Sequence, residues 1–466
     1  MILSLVSGML RPLSVLSLLT AAALSQAPLT IGNIFVVRVG DGLAPLTNGA
    51  VATFVEEYTS TGTFVQSIPM PTAVVGANQP LTNAGTSTSE GFLNLSANGQ
   101  YLTLAGYSAL PGTLAIVATP SLTTPRVIGR ISLTAAIDTS TTITDGYSAG
   151  NIRSVVSGDG TNFWTSGNAS ANAGVRFATL GGSTTVGINA GAPSNTRVAG
   201  IYNGQLYTTS SSTGYYSVCS VGVGVPTVGP ATISVLTGLP VTVGPSAYDF
   251  WFADPQTLYI ADDRVVASNG GIHKYALVAG TWTLQYIMQA PGTAGCRGLS
   301  GWKQNGVTTL WATTGSQLVS VIDVGVGSVV TSLAAAPTNT AFRGVRYLGK
   351  ATTLQRLPAT CGAADIIATG NGEIGTDLIT TVLNPLGFAF VGYGLTSFGP
   401  GLPFCNCTVL HDFSFLAGGP QSTLSLPFTP GLIGLQLYIQ GLDFLAPGGC
   451  PDPLFTLTDG YAVTIQ

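Results

Sequence analysis

The 466-residue sequence predicts an all-β protein: a seven-bladed β-propeller followed by a small disulfide-stapled β-sandwich or jelly-roll module. Three observations predict it. A β-run, a tight turn and a second β-run recur about every fifty residues. Mean hydropathy is positive at +0.44, yet no stretch beyond the N-terminus is apolar over the ~18 residues that a membrane span needs. The apolar residues are therefore spread over short strands. After Leu354 the repeat stops and the composition changes, and four of the six cysteines lie beyond that point.

Met1 to Ser25 has the form of a secretory signal. Arg11 supplies the positive charge, Pro12 to Ala23 the short apolar core, and Ala23-Leu24-Ser25 the small-x-small cleavage pattern, with Gln26 as the mature start. An uncleaved anchor is the alternative, for which the core is short. The protein is thus expected outside the cell or at its surface, with no membrane span once the signal is removed. Charged residues make up only 7% of the chain and the net charge is −4, which gives no footprint for nucleic acid.

The propeller is assigned to residues 29–354. Its turns fall at Asp41, Asn98, Asp159, Asn203, Asp254, Asn305 and near Gly349, at intervals of 44 to 61 residues. Asn-Gly and Asp-Gly supply the positive φ that primed hairpin turns require. Each unit has room for four short strands. Such a sheet cannot bury both faces alone, and radial packing against its neighbours does so. A tandem of β-sandwiches would also give short strands and regular turns. If the ring closes, the strand around Ile34 to Val39 completes the last blade.

Residues 355–360 read as a linker, and 361–466 as the C-terminal module, with β-runs separated by Pro and Gly clusters. Cys219, Cys296, Cys361, Cys405, Cys407 and Cys450 are even in number in an exported chain, so disulfides are expected. Pairing within each region is the simplest arrangement, with Cys405 and Cys407 reaching Cys361 and Cys450. A metal site is the alternative, and it lacks supporting histidines.

The candidate site rests on arginine. Arg153, Arg197 and Arg343 each stand six residues before a turn, and Arg297 stands eight before its own; in the unit between, Tyr248 and Asp249 hold the place. If the run before each turn is the innermost strand, these side chains border the central channel at one end. They could form a basic funnel for a carboxylate, phosphate or sulfated sugar, on an anionic glycan or a small carboxylate, with Asp249 as an opposing group. They could instead tie down neighbouring loop carbonyls or pair with an aspartate such as Asp159 or Asp249; a surface protein is the other partner considered.

Other chemistry is thinner. Gly146-Tyr147-Ser148-Ala149-Gly150 matches the G-x-S-x-G elbow, but the run after Gly150, NIRSVVSGDG, reads as a strand where that elbow needs a helix. His273 and His411 are isolated. Asp249, Asp254, Asp262 and Asp263 cluster in sequence and could serve as a glycosidase pair or hold calcium, the one cofactor considered. Turn capping and pairing with Arg264 are the alternatives. Asn94, Asn168 and Asn406 begin glycosylation patterns that matter only in a eukaryotic source.

The runs SEGFLNLSANGQYLTLAGY, NIRSVVSGDGTNFWTSG, VAGIYNGQLYTTS, YDFWFADPQTLYIADDR and TAFRGVRY resemble a set of exported bacterial β-propeller-like proteins with no assigned activity. The ending GLIGLQLYIQGLDF…LTDGYAVTIQ resembles C-terminal modules on exported proteins of planctomycete-like bacteria. The resemblance implies secretion and architecture and carries no catalytic residue. The expected function is non-catalytic extracellular binding of a glycan or protein. The alternative is a polysaccharide hydrolase or lyase working on the arginine-bearing face.

Overall fold

In the computed structural model the described residues are 26–465, apart from 190, 243, 305, 350–353, 358, 360, 370–376, 428–431, 433–434, 447–449 and 452–453. The expected signal segment and the turn residue Asn305 lie outside them. The regular secondary structure of the described residues is nearly all strand, with single-turn 3₁₀ segments at Ile116–Ala118 and Val266–Ser268. No helix among these residues is long and apolar enough to cross a membrane.

Four four-stranded antiparallel sheets and one nine-stranded sheet make the propeller; in the nine-stranded sheet the short strand Thr82–Ala84 bridges two four-stranded groups, so six blade-like units result. Blade 1 runs from its inner strand Asn94–Leu95 through Tyr101–Tyr107 and Arg126–Ser132 to Ile137–Ile143. Blades 2 to 5 open with the inner strands Ile152–Ser157, Thr196–Tyr202, Ala247–Asp254 and Gly298–Gln304, and each continues outward in chain order. Blade 6 is composite. Its inner strand is Ala341–Tyr347, its second is Ile34–Val39, and Ala50–Tyr58 and Phe64–Pro69 come next. The turns at Asp41 and near Gly349, read from the sequence as two units, therefore belong to one sheet. Grouped in this way the strands form six blade-like units, where the spacing predicts seven.

The turns work as their residues dictate. Asn203 and Gly204 both have positive φ, 47° and 72°, as a primed two-residue hairpin turn demands. Asp159 instead accepts the backbone amides of Thr161 and Asn162, and those bonds win over burial to bring its carboxyl down to about 2.

Six apolar cores fill the six spaces between blades. Leu102, Leu104 and Val127 of blade 1 pack on Phe35, Val37 and Val55 of blade 6. Ile128 and Ile143 meet Ile152 and Val155 between blades 1 and 2. The remaining four interfaces are filled in the same way. Inner strands touch in the order 1 to 6 and back to 1. Close approach at the axis calls for glycine: a Cβ on Gly301 would lie 2.4 Å from Trp251, and one on Gly344 would lie 2.1 Å from the Leu93 amide nitrogen.

Polar clips cross the cores. Asp323 of blade 5 accepts Lys274 Nζ at 2.7 Å and the Tyr259 and Tyr286 hydroxyls from blade 4, and also its own loop amide of Gly325. Burial raises this carboxyl, but those hydrogen bonds prevail and hold it at about 2. A depressed carboxylate contributes stability above its unfolded value near ~3.9, and that contribution is lost as pH falls through the folded value. The stability difference between wild type and Asp323→Asn is therefore expected to shrink by about 1–2 kcal/mol between pH 5 and pH 2, measured by urea unfolding. A difference that stays constant over that range would show that the clip does not act through charge.

The C-terminal module is a two-sheet sandwich. One sheet joins Leu354–Leu357, Leu454–Thr464, Gln436–Phe444, Phe388–Gly394 and Phe415–Gly418; the other joins Asp365–Thr369, Asp377–Leu383 and Gln421–Ser425. Ile366, Leu378 and Val382 meet Val391, Ile439 and Val463 in its core. Leu354–Leu357 pairs with Gly460–Val463, so part of the segment read as a linker is a strand of this module. Cys361 and Cys407 are joined, and Cys405 is also disulfide-bonded. Cys219 and Cys296 correct the expected pairing: both are free and buried. Cys219 sits in the core between blades 2 and 3 and Cys296 in that between blades 4 and 5. Burial pushes both thiols up to about 12.

Candidate functional site: an arginine cup at one end of the propeller axis

Each blade presents one residue at the start of its inner strand, and the preceding blade holds that residue's carbonyl. The Phe92 amide donates to Arg153 O at 3.2 Å, Ser166 Oγ to Arg197 O at 2.7 Å, and Thr209 Oγ1 to Tyr248 O. The Asp249 amide donates to Arg297 O at 3.2 Å, Thr313 Oγ1 to Arg343 O, and the Gly344 amide to Gly91 O at 3.0 Å. Arg153, Arg197, Tyr248, Arg297, Arg343 and Gly91 are thus equivalent positions around one end of the axis. The repeat read from the sequence is real in space.

Tyr248 is the centre of the cup. It stacks on Phe92 at 5.7 Å between ring centroids. The Arg197 guanidinium lies 3.9 Å from its ring and that of Arg297 lies 5.9 Å away. Arg197 is half-buried and donates to Ser246 Oγ and Ala247 O. Arg297, with 24% of its side chain exposed, pairs with Asp263 at 3.2 Å. Arg153 and Arg343 lie deeper, at 7% and 4% exposure. Arg153 donates to Asn195 and Thr196 O, and Arg343 to Phe342 O and Gly85 O. Burial, with Arg197 nearby, lowers Arg153 to about 10; burial, with Arg297 nearby, does the same to Arg343. Loop anchoring and convergence, set against each other in the sequence, are both present.

Asp249 does not oppose the four arginines. It is completely buried and takes a bidentate grip from Arg346, at 2.6 and 3.0 Å, plus the amides of Phe250 and Leu299. Burial raises its carboxyl, and Arg346 and the two amides pull against that. Arg346 also donates to Asn94 Oδ1 at 2.6 Å. Asn94 donates to Ser154 Oγ, which accepts the Ala199 amide. This chain of contacts touches the inner strands of all six blades. It also commits Asn94, the first glycosylation pattern, to the interior.

Glu90 was not singled out from the sequence. It is completely buried beside the cup and accepts the Tyr107 hydroxyl at 2.6 Å, the Ala84 amide at 3.0 Å and Asn151 Nδ2. Burial raises its carboxyl and these three donors lower it. Arg126, completely buried, packs over Tyr107 at 4.8 Å. A cavity of about 270 Å³ opens on this side, lined by Ala84, Ser87, Val117 and Ala149.

The remaining candidates disperse. Asp254 caps its own turn and meets Lys303 across blades. Asp262 is held by Arg264, and Asp263 by Arg297. The four aspartates share no ligand cage, and among the described residues no group of three or more His, Cys, Asp or Glu could hold a metal ion. Ser148 accepts the Ser121 amide in a loop that leads into the strand Ile152–Ser157. His273 bonds the Asn269 carbonyl oxygen. His411 accepts the Phe413 amide, and burial lowers it to about 4.

No protein-family model and no curated protein matches the chain. Among solved structures, the extracellular domain of a hybrid two component system from B. thetaiotaomicron is 9% identical, over 92% of this chain and 57% of that one, with a TM-score of 0.38. A chain of a nidogen/laminin complex is 11% identical over 68% and 98%, at 0.41. The GH74 enzyme of Niastella koreensis is 13% identical over 77% and 59%, at 0.36. Similarity this distant carries no function; the architecture rests on the sheets themselves.

Proposed function

We propose that the protein is an exported, non-catalytic β-propeller that binds an anionic glycan in the arginine cup. One observation carries this. Four arginines from four blades stand at equivalent positions around a single tyrosine, and three of them have no carboxylate partner among the described residues. Guanidinium groups that converge at one end of the inner strands suit an oxyanion. The Cys361–Cys407 disulfide fits an oxidising compartment, as the expected signal does. Hydrolysis or lyase chemistry on this face would need an acid or base free to act. Glu90 and Asp249, the buried carboxylates nearest the axis, are each fully engaged.

The full chain is expected to bind immobilised anionic polysaccharide saturably, more weakly at higher salt, and without releasing reducing ends. Arg197→Ala/Arg297→Ala is expected to lose at least tenfold in affinity, about 1.4 kcal/mol, while its unfolding curve stays near that of wild type. Undiminished binding by a folded double variant would remove the cup from the function. Release of reducing ends would establish the enzymatic alternative.

A further inference from the structure

The charge balance of the cup points to a particular kind of anion. Among the described residues, every lysine and arginine has a carboxylate within ion-pair distance except Arg126, Arg153, Arg197 and Arg343. Arg153, Arg197 and Arg343 stand at the cup, and Arg126 lies in the third strand of blade 1, packed over Tyr107, whose hydroxyl bonds Glu90. Three of them, Arg126, Arg153 and Arg343, are more than nine-tenths buried, and the Nε of each has no hydrogen-bond partner. Glu90 is the one carboxylate whose field reaches all three, and it forms a hydrogen bond with none of them. Arg297 and Asp263 cancel. Three guanidinium charges, those of Arg153, Arg197 and Arg343, against Glu90 leave a surplus of two positive charges around Tyr248.

An unpaired charge held away from water is costly, and a ligand that supplies counter-charge recovers part of that cost. A carboxylate or a sulfate ester brings one negative charge. A phosphate monoester brings up to two, on three acceptor oxygens that match guanidinium forks. Resting on the anionic-binding function proposed above, we infer that the cup is selective for a phosphate monoester, as on a phosphorylated sugar. Arg197 and Arg297 at the rim make the contacts. Arg153 and Arg343 beneath them set the field that favours the dianion.

Three probes that share one sugar ring separate the possibilities: glucose 6-phosphate, glucose 6-sulfate and glucuronate, titrated calorimetrically into the full chain. Glucose 6-phosphate is expected to bind at least tenfold more tightly than either monoanion at pH 7.5. That margin is expected to close towards pH 5, because the second phosphate ionisation lies near ~6. The titratable groups around Tyr248 are Arg153, Arg197, Arg297, Arg343 and Asp263, with Glu90, Tyr107 and Arg126 buried behind them. If Glu90 takes up a proton in this range the cup becomes more positive and every anion binds better, so glucose 6-sulfate serves as the internal control. Arg197→Ala is expected to weaken glucose 6-phosphate the most and Arg197→Lys to restore part of the loss. Equal affinity for the three probes, or a preference for phosphate that does not change with pH, overturns the dianion inference and leaves anionic binding standing. If no probe and no anionic polysaccharide binds, both fail.

Discussion

Replacing Asp249 by alanine is expected to lower the free energy of unfolding by about 3–5 kcal/mol, the range for removing one partner of a buried ion pair. The size comes from the groups left stranded. Arg346 loses both arms of its bidentate contact, and the Leu299 and Phe250 amides lose the carboxylate oxygens that accept them. The partners belong to blades 4, 5 and 6, and Arg346 carries the link on to Asn94 in blade 1. Urea unfolding measures the loss. Asp249→Ala combined with Arg346→Met removes both charges and is expected to recover part of it, since an apolar pair of similar size leaves no buried ion behind. A loss below about 1 kcal/mol for the single variant would mean that water replaces the carboxylate.

Gly344→Ala is expected to cost about 3 kcal/mol or more, the upper part of the range for overpacking. The added Cβ would stand 2.1 Å from the Leu93 amide nitrogen and 2.7 Å from Phe92 Cα. Both are backbone atoms, so no side chain can turn aside, and the Gly344–Gly91 hydrogen bond that joins blade 6 to blade 1 would have to open. Gly158→Ala is the control: it has nothing within 4 Å of a new Cβ, and its backbone is outside the positive-φ region. Equal behaviour of the two variants in urea unfolding would show that the seam between blades 6 and 1 has room to yield.

The repeat was legible because turn chemistry is local. Asn203-Gly204 and Asp159-Gly160 announce hairpins whatever the rest of the chain does. The arginine register was legible for a related reason: Arg153, Arg197 and Arg343 keep a fixed offset from those turns, and the inner strand turns a fixed offset into a fixed place. The blade count was not legible, because strand partnership between Ile34–Val39 and Ala341–Tyr347 is long-range and leaves no local trace. The role of Asp249 was misread for a similar reason. Its true partner, Arg346, stands three residues past an arginine that fits the repeat, and only the ring brings the two together. Glu90 offered a signal that could have been used: an acid inside SEGFLNL, in a chain where charge is this scarce, needs a reason to be there. Cys219 and Cys296 show the opposite error. An even count in a chain read as exported suggested a bridge, while their surroundings, Val221 and Leu206 for one and Leu310 and Val319 for the other, are those of ordinary core residues.

The composite sixth blade fixes the order in which this chain can become a native molecule. Ile34–Val39 is made early and Ala341–Tyr347 late, so the ring stays unlatched through most of synthesis. A product that stops before Ala341 would carry Ile34–Val39 with one edge bare, and a bare edge of this apolar composition (Ile, Phe, Val, Val, Arg, Val) is a template for pairing with another chain. Until the end of the propeller arrives, the beginning of the chain is therefore the segment most open to pairing with another molecule.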